Sequence, residues 1–256
     1  MNRTGLVSVL TIAVVAGVLF GVYLQLDLQV ARHFHAVETA NHDVFAMRFY
    51  PALMRARNFG LWIPALLLLP AVGALVIKLM WPRRKLLMSG RAVVFLIATM
   101  ILAPGLMANV FFKEHWGRPR PIAVTQFGGN EHFVPWWDRR GNCAANCSFV
   151  SGDVAAAFWT LAPAALAPPQ WRALTYFAAF ALGTGMATLR TMTGAHFPSD
   201  VIFSGVFTYL IIWVVYALIY RWPRTRLSDD HVDRSLSRLA LPAHNFVAGL
   251  FDRKPK

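Results

Sequence analysis

The sequence predicts an all-α, polytopic membrane protein with six transmembrane helices, and three observations lead there. Hydrophobic residues make up 57% of the 256 positions and charged residues only 14%, too few to cover a soluble surface. Six uncharged runs, at 5–26, 58–77, 92–112, 154–171, 173–189 and 201–220, are about the length a helix needs to cross hydrocarbon. Charged residues collect where these runs end. The last four runs place their polar ends together, so a site is expected at the outer, membrane-facing ends of helices three to six.

The first run follows Met1-Asn2-Arg3 with no clear small-residue cleavage site, which predicts a retained helix, a signal peptide being the alternative. Residues 27–57 mix charges with apolar positions such as Val44, Phe45, Met47 and Phe49, a pattern that fits an interfacial amphipathic helix. His33, His35 and His42 lie here without acidic or cysteine partners, and read as solvated loop residues rather than metal ligands. The second run ends at Lys78, before the basic turn Trp81-Pro82-Arg83-Arg84-Lys85. The third ends at Lys113. The connection 113–150 is rich in glycine, proline and aromatics and predicts no long helix. Trp136 and Trp137 suit a membrane interface or simple loop packing equally. Pro163 predicts a kink in the fourth run and Pro168-Pro169 its end. The fourth and fifth runs then form a helical hairpin. After the sixth run, Ser228-Asp229-Asp230 predicts the cap of a short surface helix before Pro242. The domain division expected is a membrane domain over 1–226 and a C-terminal tail over 227–256.

With six spans both termini share a side. The turn 78–91, Arg172 and the segment after 221 share it too, and their basic character makes it cytoplasmic. The loops 113–153 and 190–200 then face outward, which in a bacterium is the periplasmic face of the inner membrane. The net charge of +13 is scattered over helix ends rather than gathered on one face, which argues against nucleic acid as a partner and for contact with membrane lipids. An ion channel is disfavoured because the polar residues sit at helix ends and not along spans. Cys143 and Cys147 form either a disulfide, if their loop lies in an oxidising compartment, or two free thiols.

Three polar clusters carry the chemistry: Lys113-Glu114-His115-Trp116-Gly117-Arg118-Pro119-Arg120-Pro121, then Ser151-Gly152-Asp153, then Arg190 through His196 to Asp200. Lys113, Arg120 and Arg190 supply positive charge, and arginine grips phosphate oxygens in pairs. Two helix N-termini, at Ser151 and near Asp200, offer free N–H groups to an anion. Ser151 adds a hydroxyl, and Gly152 lets the backbone approach closely. His196 is a nucleophile that works near neutral pH. Asp200, four residues on, is placed to hold one ring nitrogen and leave the other free. Arg118 either assists at the phosphate or pairs with Glu114 across the turn. Neither a metal nor a cofactor is called for.

Lys113-x6-Arg120-Pro121, Ser151-Gly152 and Arg190-x5-His196-x3-Asp200 together resemble the three-part signature of the type 2 phosphatidic acid phosphatase superfamily, over roughly residues 58–220. The resemblance implies a six-helix core and metal-independent hydrolysis of a lipid phosphate ester; the candidates are a polyprenyl diphosphate, favoured by Asp153 at the place of the family's acid, and the glucosamine phosphate of lipid A, within reach of an outward-facing site. It implies a phosphohistidine on His196, with Asp200 orienting the ring. Lys113, Arg120, Ser151, Gly152 and Arg190 would hold the phosphate.

The chain departs from the family at Asp153, where the signature has a histidine that protonates the departing alcohol, and at Leu189, where it has serine. An ordinary aspartate, with a pKa of ~3.9, is protonated in about one molecule in a thousand at pH 7. Three outcomes follow. Asp153 serves as a buried, protonated acid. Or the substrate, such as a lipid diphosphate, has a leaving group that needs little protonation. Or the chain binds lipid phosphates with slow turnover or none.

Overall fold

The computed structural model describes residues 3–35 and 45–251. Its elements are helical: α1 (Arg3–Val22), α2 (Leu26–His33), α3 (Pro51–Met80), α4 (Gly90–His115), α5 (Gly152–Trp159), α6 (Leu161–Leu166), α7 (Pro169–Met192), α8 (Pro198–Arg221) and α9 (Asp229–Phe251). Single tight turns stand at Ala46–Phe49, Pro121–Ala123 and Thr125–Phe127. Among the described residues there is no strand, only an isolated bridge between Val124 and Glu131.

Four helices, α1, α3, α4 and α8, are long and apolar enough to cross a membrane, two fewer than the six runs predict. The fourth run is divided. Thr160 closes α5, and its hydroxyl donates to the Ala157 carbonyl at 2.7 Å. α6 follows and stops at Ala167, which is forced to extended backbone by Pro168. α7 then starts with Pro169 in its first turn, where a missing N–H costs nothing. It is long enough to span at 24 residues, yet it is not among the four. The amphipathic helix expected over 27–57 is also revised. α2 ends at His33, and Pro51 opens α3, so Arg55 and Arg57 ride on the first turns of a long apolar helix. His42 and the rest of 36–44 lie outside the described residues. In α4, Pro104 has no N–H to give, and the turns over Ile101–Phe112 widen around it.

Two compact units gather the chain, one of Met1–Pro64 with Thr99–Trp213, the other of Ala65–Ala98 with Val214–Lys256. In the first unit, the ring of Phe158 on α5 packs where α7 and α8 carry glycines, Gly183 and Gly205. Trp116, Trp136 and Phe149 of the 113–150 connection form one aromatic cluster with Phe112 of α4 and Phe203 and Phe207 of α8. Trp136 is therefore a packing residue, and its neighbour Trp137 is exposed. Leu28 and Ala31 of α2 pack with Phe45, Val124, Phe127 and Phe197 in a second cluster.

In the second unit, α9 is tied to the turn before α4. Lys78 is buried and pairs with Asp233 at 2.9 Å. Asp229 accepts from the Ser89 hydroxyl at 2.6 Å and the Arg91 N–H at 2.9 Å, capping α4. Ser228 caps α9 as expected, accepting from His231 N–H at 3.2 Å. The helix is longer than predicted, however, and carries Pro242 inside it.

Candidate active site

The site lies in the first unit, where the 113–150 connection meets the starts of α5 and α8. That connection is irregular but well tied. Cys147 N–H donates to the Lys113 carbonyl at 3.0 Å, Ser148 N–H to Arg118 at 2.8 Å and Cys143 N–H to Gly117 at 3.1 Å. Gly117 has φ +74°, and a Cβ there would sit 2.8 Å from the Gly141 carbonyl, so both conformation and contact require glycine. Cys143 and Cys147 are joined as a disulfide, which decides between the two alternatives for that pair. The disulfide staples the segment that ends in Asn146 and Ser148. Asn146 accepts from Arg120 three times, through its carbonyl at 3.1 and 2.9 Å and its side-chain oxygen at 2.7 Å.

Ser148 positions the candidate nucleophile. The His196 ring is only 2% exposed, and its Nδ1 lies 2.7 Å from the Ser148 carbonyl. A carbonyl only accepts, so Nδ1 carries the proton and Nε2 keeps its lone pair. Burial first, then the charges of Arg190 and Arg120, hold the His196 pKa well below its usual value, against the opposing pull of the Ser148 bond. The ring is a neutral imidazole at pH 7.

This corrects the role expected of Asp200. Its oxygens accept from Arg118, from the Ser148 hydroxyl at 2.5 Å and from the Phe197 N–H at 2.8 Å. It reaches His196 only by way of Ser148, whose hydroxyl donates to it and whose carbonyl holds the ring. Arg118 does not pair with Glu114 or face the cavity. It is fully buried, bonded to Asp200, to Asp27 at 2.7 Å, to Ser199 at 2.8 Å and to the Val134 carbonyl at 3.0 Å. Asp27 also accepts from the Ser199 N–H at 3.0 Å and hydroxyl at 2.6 Å. The start of α8, expected to face an anion, is thus capped by a carboxylate of the protein itself.

The start of α5 keeps its expected place. Ser151 is its N-cap, with Oγ accepting from Val154 N–H at 3.4 Å, and its carbonyl accepts from Ser204 at 2.6 Å. Gly152 faces Asn109 and Lys113. A Cβ there would overlap the Asn109 side-chain oxygen and come within 3.1 Å of Lys113 Nζ. Asp153 is ion-paired, its Oδ2 lying 2.7 Å from Arg57 Nε and 3.3 Å from Arg190 Nε. A carboxylate between two guanidiniums holds no proton to give, so the first of the three outcomes for Asp153 loses its footing.

A cavity of about 430 Å³ opens beside these groups, lined by Arg48, Arg57, Arg120 and Arg190, with Thr193, Gly194 and Ala195 leading into His196. The sequence pointed to Arg120 and Arg190. Arg48 and Arg57 belong to the mixed-charge stretch 27–57, which precedes every motif, and they reach the site only through the packing of the turn Ala46–Phe49 and of α3.

The sequence pattern of the PAP2 superfamily matches residues 92–224. The chain is similar to the lipid A 4'-phosphatase of Francisella tularensis subsp. novicida (strain U112), 35% identical over 225 residues, 86% of this chain and 98% of the relative. It is also similar to the lipid A 4'-phosphatases of Rhizobium leguminosarum, 36% identical over 122 residues, and Rhizobium etli, 35% over 122 residues. Those matches cover 48% of this chain and 52% and 48% of the relatives, so the chain spans about half the length of the two Rhizobium proteins. No solved structure matches it significantly. The matched span contains all three polar clusters, from Lys113 to Asp200, and the chain belongs to the PAP2 superfamily.

Proposed function

We propose that this chain is a bacterial membrane phosphatase that removes a phosphate from a phosphorylated glycolipid of the lipid A class, through a phosphohistidine on His196. What carries the chemistry is a buried imidazole with a free Nε2, placed by the Ser148 carbonyl next to an arginine-lined cavity. What supports the substrate class is the likeness to the Francisella enzyme along nearly its whole length.

Lys113, Arg120 and Arg190, with the start of α5 at Ser151-Gly152, hold the phosphate and neutralise its charge. Nε2 attacks phosphorus, the ester oxygen leaves, and water then hydrolyses the N–P bond. Asp200 keeps Ser148, and so the ring, in place. The site faces the periplasm, with both termini in the cytoplasm. The Cys143–Cys147 disulfide favours that side, because disulfides persist in oxidising compartments.

Phosphate release from purified protein tests this on three substrates: a lipid A bisphosphate, a polyprenyl diphosphate and phosphatidic acid. Fastest release from lipid A is expected. Faster release from the diphosphate would favour the second reading, which Asp153 supports by being ion-paired and offering no acid to a poor leaving group. Tight binding without release from any of them would mark a lipid-phosphate binder.

Gly152→Ala is expected to lower kcat/KM about 10²-fold by displacing Lys113 and Asn109. Asn109→Ala in the same chain, which removes the overlapping oxygen, should recover part of the loss. Steady-state kinetics of the single and double variants check this.

A further inference from the structure

The Arg57–Asp153 pair stands where two recesses meet. Arg57 lines the arginine cavity. Asp153 lines a second recess, of about 450 Å³, walled by Leu61, Met100, Ile101, Pro104 and Ala156 of α3, α4 and α5, with Asn109 and Gly152 beside it. The two side chains touch at 2.7 Å, across the boundary. An ester of phosphate with a lipid has the same division: a dianion, a bridging oxygen and the remainder of the molecule. With phosphorus among Arg120 and Arg190 and the remainder directed into the largely apolar recess, the bridging oxygen falls at the Arg57–Asp153 pair.

We propose that Arg57 is a further catalytic residue, which stabilises the charge that develops on the bridging oxygen, and that Asp153 is the positioning residue that aims it. This rests on the phosphatase reading above. As Nε2 of His196 forms its bond to phosphorus, the P–O bond breaks and its electron pair goes to the bridging oxygen. Arg57 donates hydrogen bonds to that oxygen and keeps its own protons, because a guanidinium does not ionise in this range. The departing oxygen takes a proton from water, leaving hydroxide. A second water then attacks phosphorus and the N–P electrons return to Nε2; one of that water's protons neutralises the hydroxide and the other stays on the released phosphate. Asp153 engages Nε of Arg57, which leaves the donors on both Nη atoms for the oxygen. Fixed donors aimed at developing charge are among the largest contributions to rate.

The test uses the full chain in detergent and two ester substrates, p-nitrophenyl phosphate, whose leaving oxygen needs no help, and a long-chain alkyl phosphate, whose alkoxide does. Arg57→Gln is expected to slow the alkyl ester about 10²–10³-fold in kcat and the aryl ester less than about 10-fold, with an unchanged thermal melt. Arg57→Lys should regain part of the alkyl activity. Asp153→Asn should show the same preference for the aryl ester, and added to Arg57→Gln it should slow neither further. Wild-type activity on the alkyl ester should stay level from neutral to mildly alkaline pH, since arginine keeps its charge there. Equal losses on both esters in Arg57→Gln, or no loss, would overturn the proposal. So would a further loss confined to the alkyl ester when Asp153→Asn is added, which would make Asp153 the acid. Wild type releasing phosphate from neither ester nor from a lipid A bisphosphate would instead overturn the phosphatase reading, and this proposal with it.

Discussion

Replacing His196 by alanine is expected to lower phosphate release by about 10³-fold or more, since the proposed attack on phosphorus comes from its Nε2. The fold should survive, because the side-chain bonds among Arg118, Asp27, Ser199, Asp200 and Ser148 do not pass through the ring, which meets this network at the Ser148 carbonyl. The accompanying pH profile distinguishes a nucleophile from a structural residue. The neutral ring is the competent form, and burial with Arg190 and Arg120 nearby depresses its pKa well below the ordinary value of about 6.5. Activity should therefore persist as pH falls through 6.5, with the acid limb displaced well below it. Stability has the same sign. The unfolded chain takes up a proton near pH 6.5 and the folded chain does not, so this contribution is full above about 6.5 and erodes as pH falls toward the folded pKa. His196→Ala should remove that part of the dependence. An acid limb at or above 6.5 in the wild type would contradict the buried, neutral ring.

The largest stability loss is expected from Arg118→Met. Arg118 is 0% exposed and bonded to two carboxylates, both themselves buried. Removing one partner of such a group leaves charge buried without compensation, at a cost of about 3–5 kcal/mol, or on the order of 10 °C in Tm for a chain of this size. Asp27 and Asp200 would then face each other with no cation between them. Adding Asp27→Asn to Arg118→Met should recover part of the loss by removing one of the two charges. A thermal melt of the three proteins checks it. A melt within about 1 °C of wild type for Arg118→Met would mean that the network adds nothing to stability. Activity should fall along with stability, because Asp200 fixes Ser148 and Ser148 holds His196.

The all-helical, membrane-spanning character was legible in the sequence, because hydrophobic length and sparse charge act locally: a helix satisfies its own backbone in lipid without help from distant residues. The residue types of the site were legible too, since phosphate needs cations and attack on it needs a nucleophile. Lys113, Arg120, Arg190 and His196 declare themselves by type and spacing alone. Span number was less so. The run 154–171 is apolar throughout, but Thr160, Pro163 and Pro168 divide it into pieces too short to be judged by hydropathy.

Other features were decided only by tertiary structure. Asp200 is four residues from His196, and that spacing suggested contact, yet the ring is held by a backbone carbonyl 48 positions away. Every residue carries a carbonyl, so no side-chain pattern could mark it. Asp27 meets Arg118 across 91 positions and Arg57 meets Asp153 across 96. Such pairs depend on how α2 and α3 pack against the catalytic loops, which no local pattern encodes. Residue type and spacing pointed to a phosphate site on a membrane protein. Only the folded chain decided which groups hold the His196 ring, and that the aspartate at 153 is the partner of an arginine.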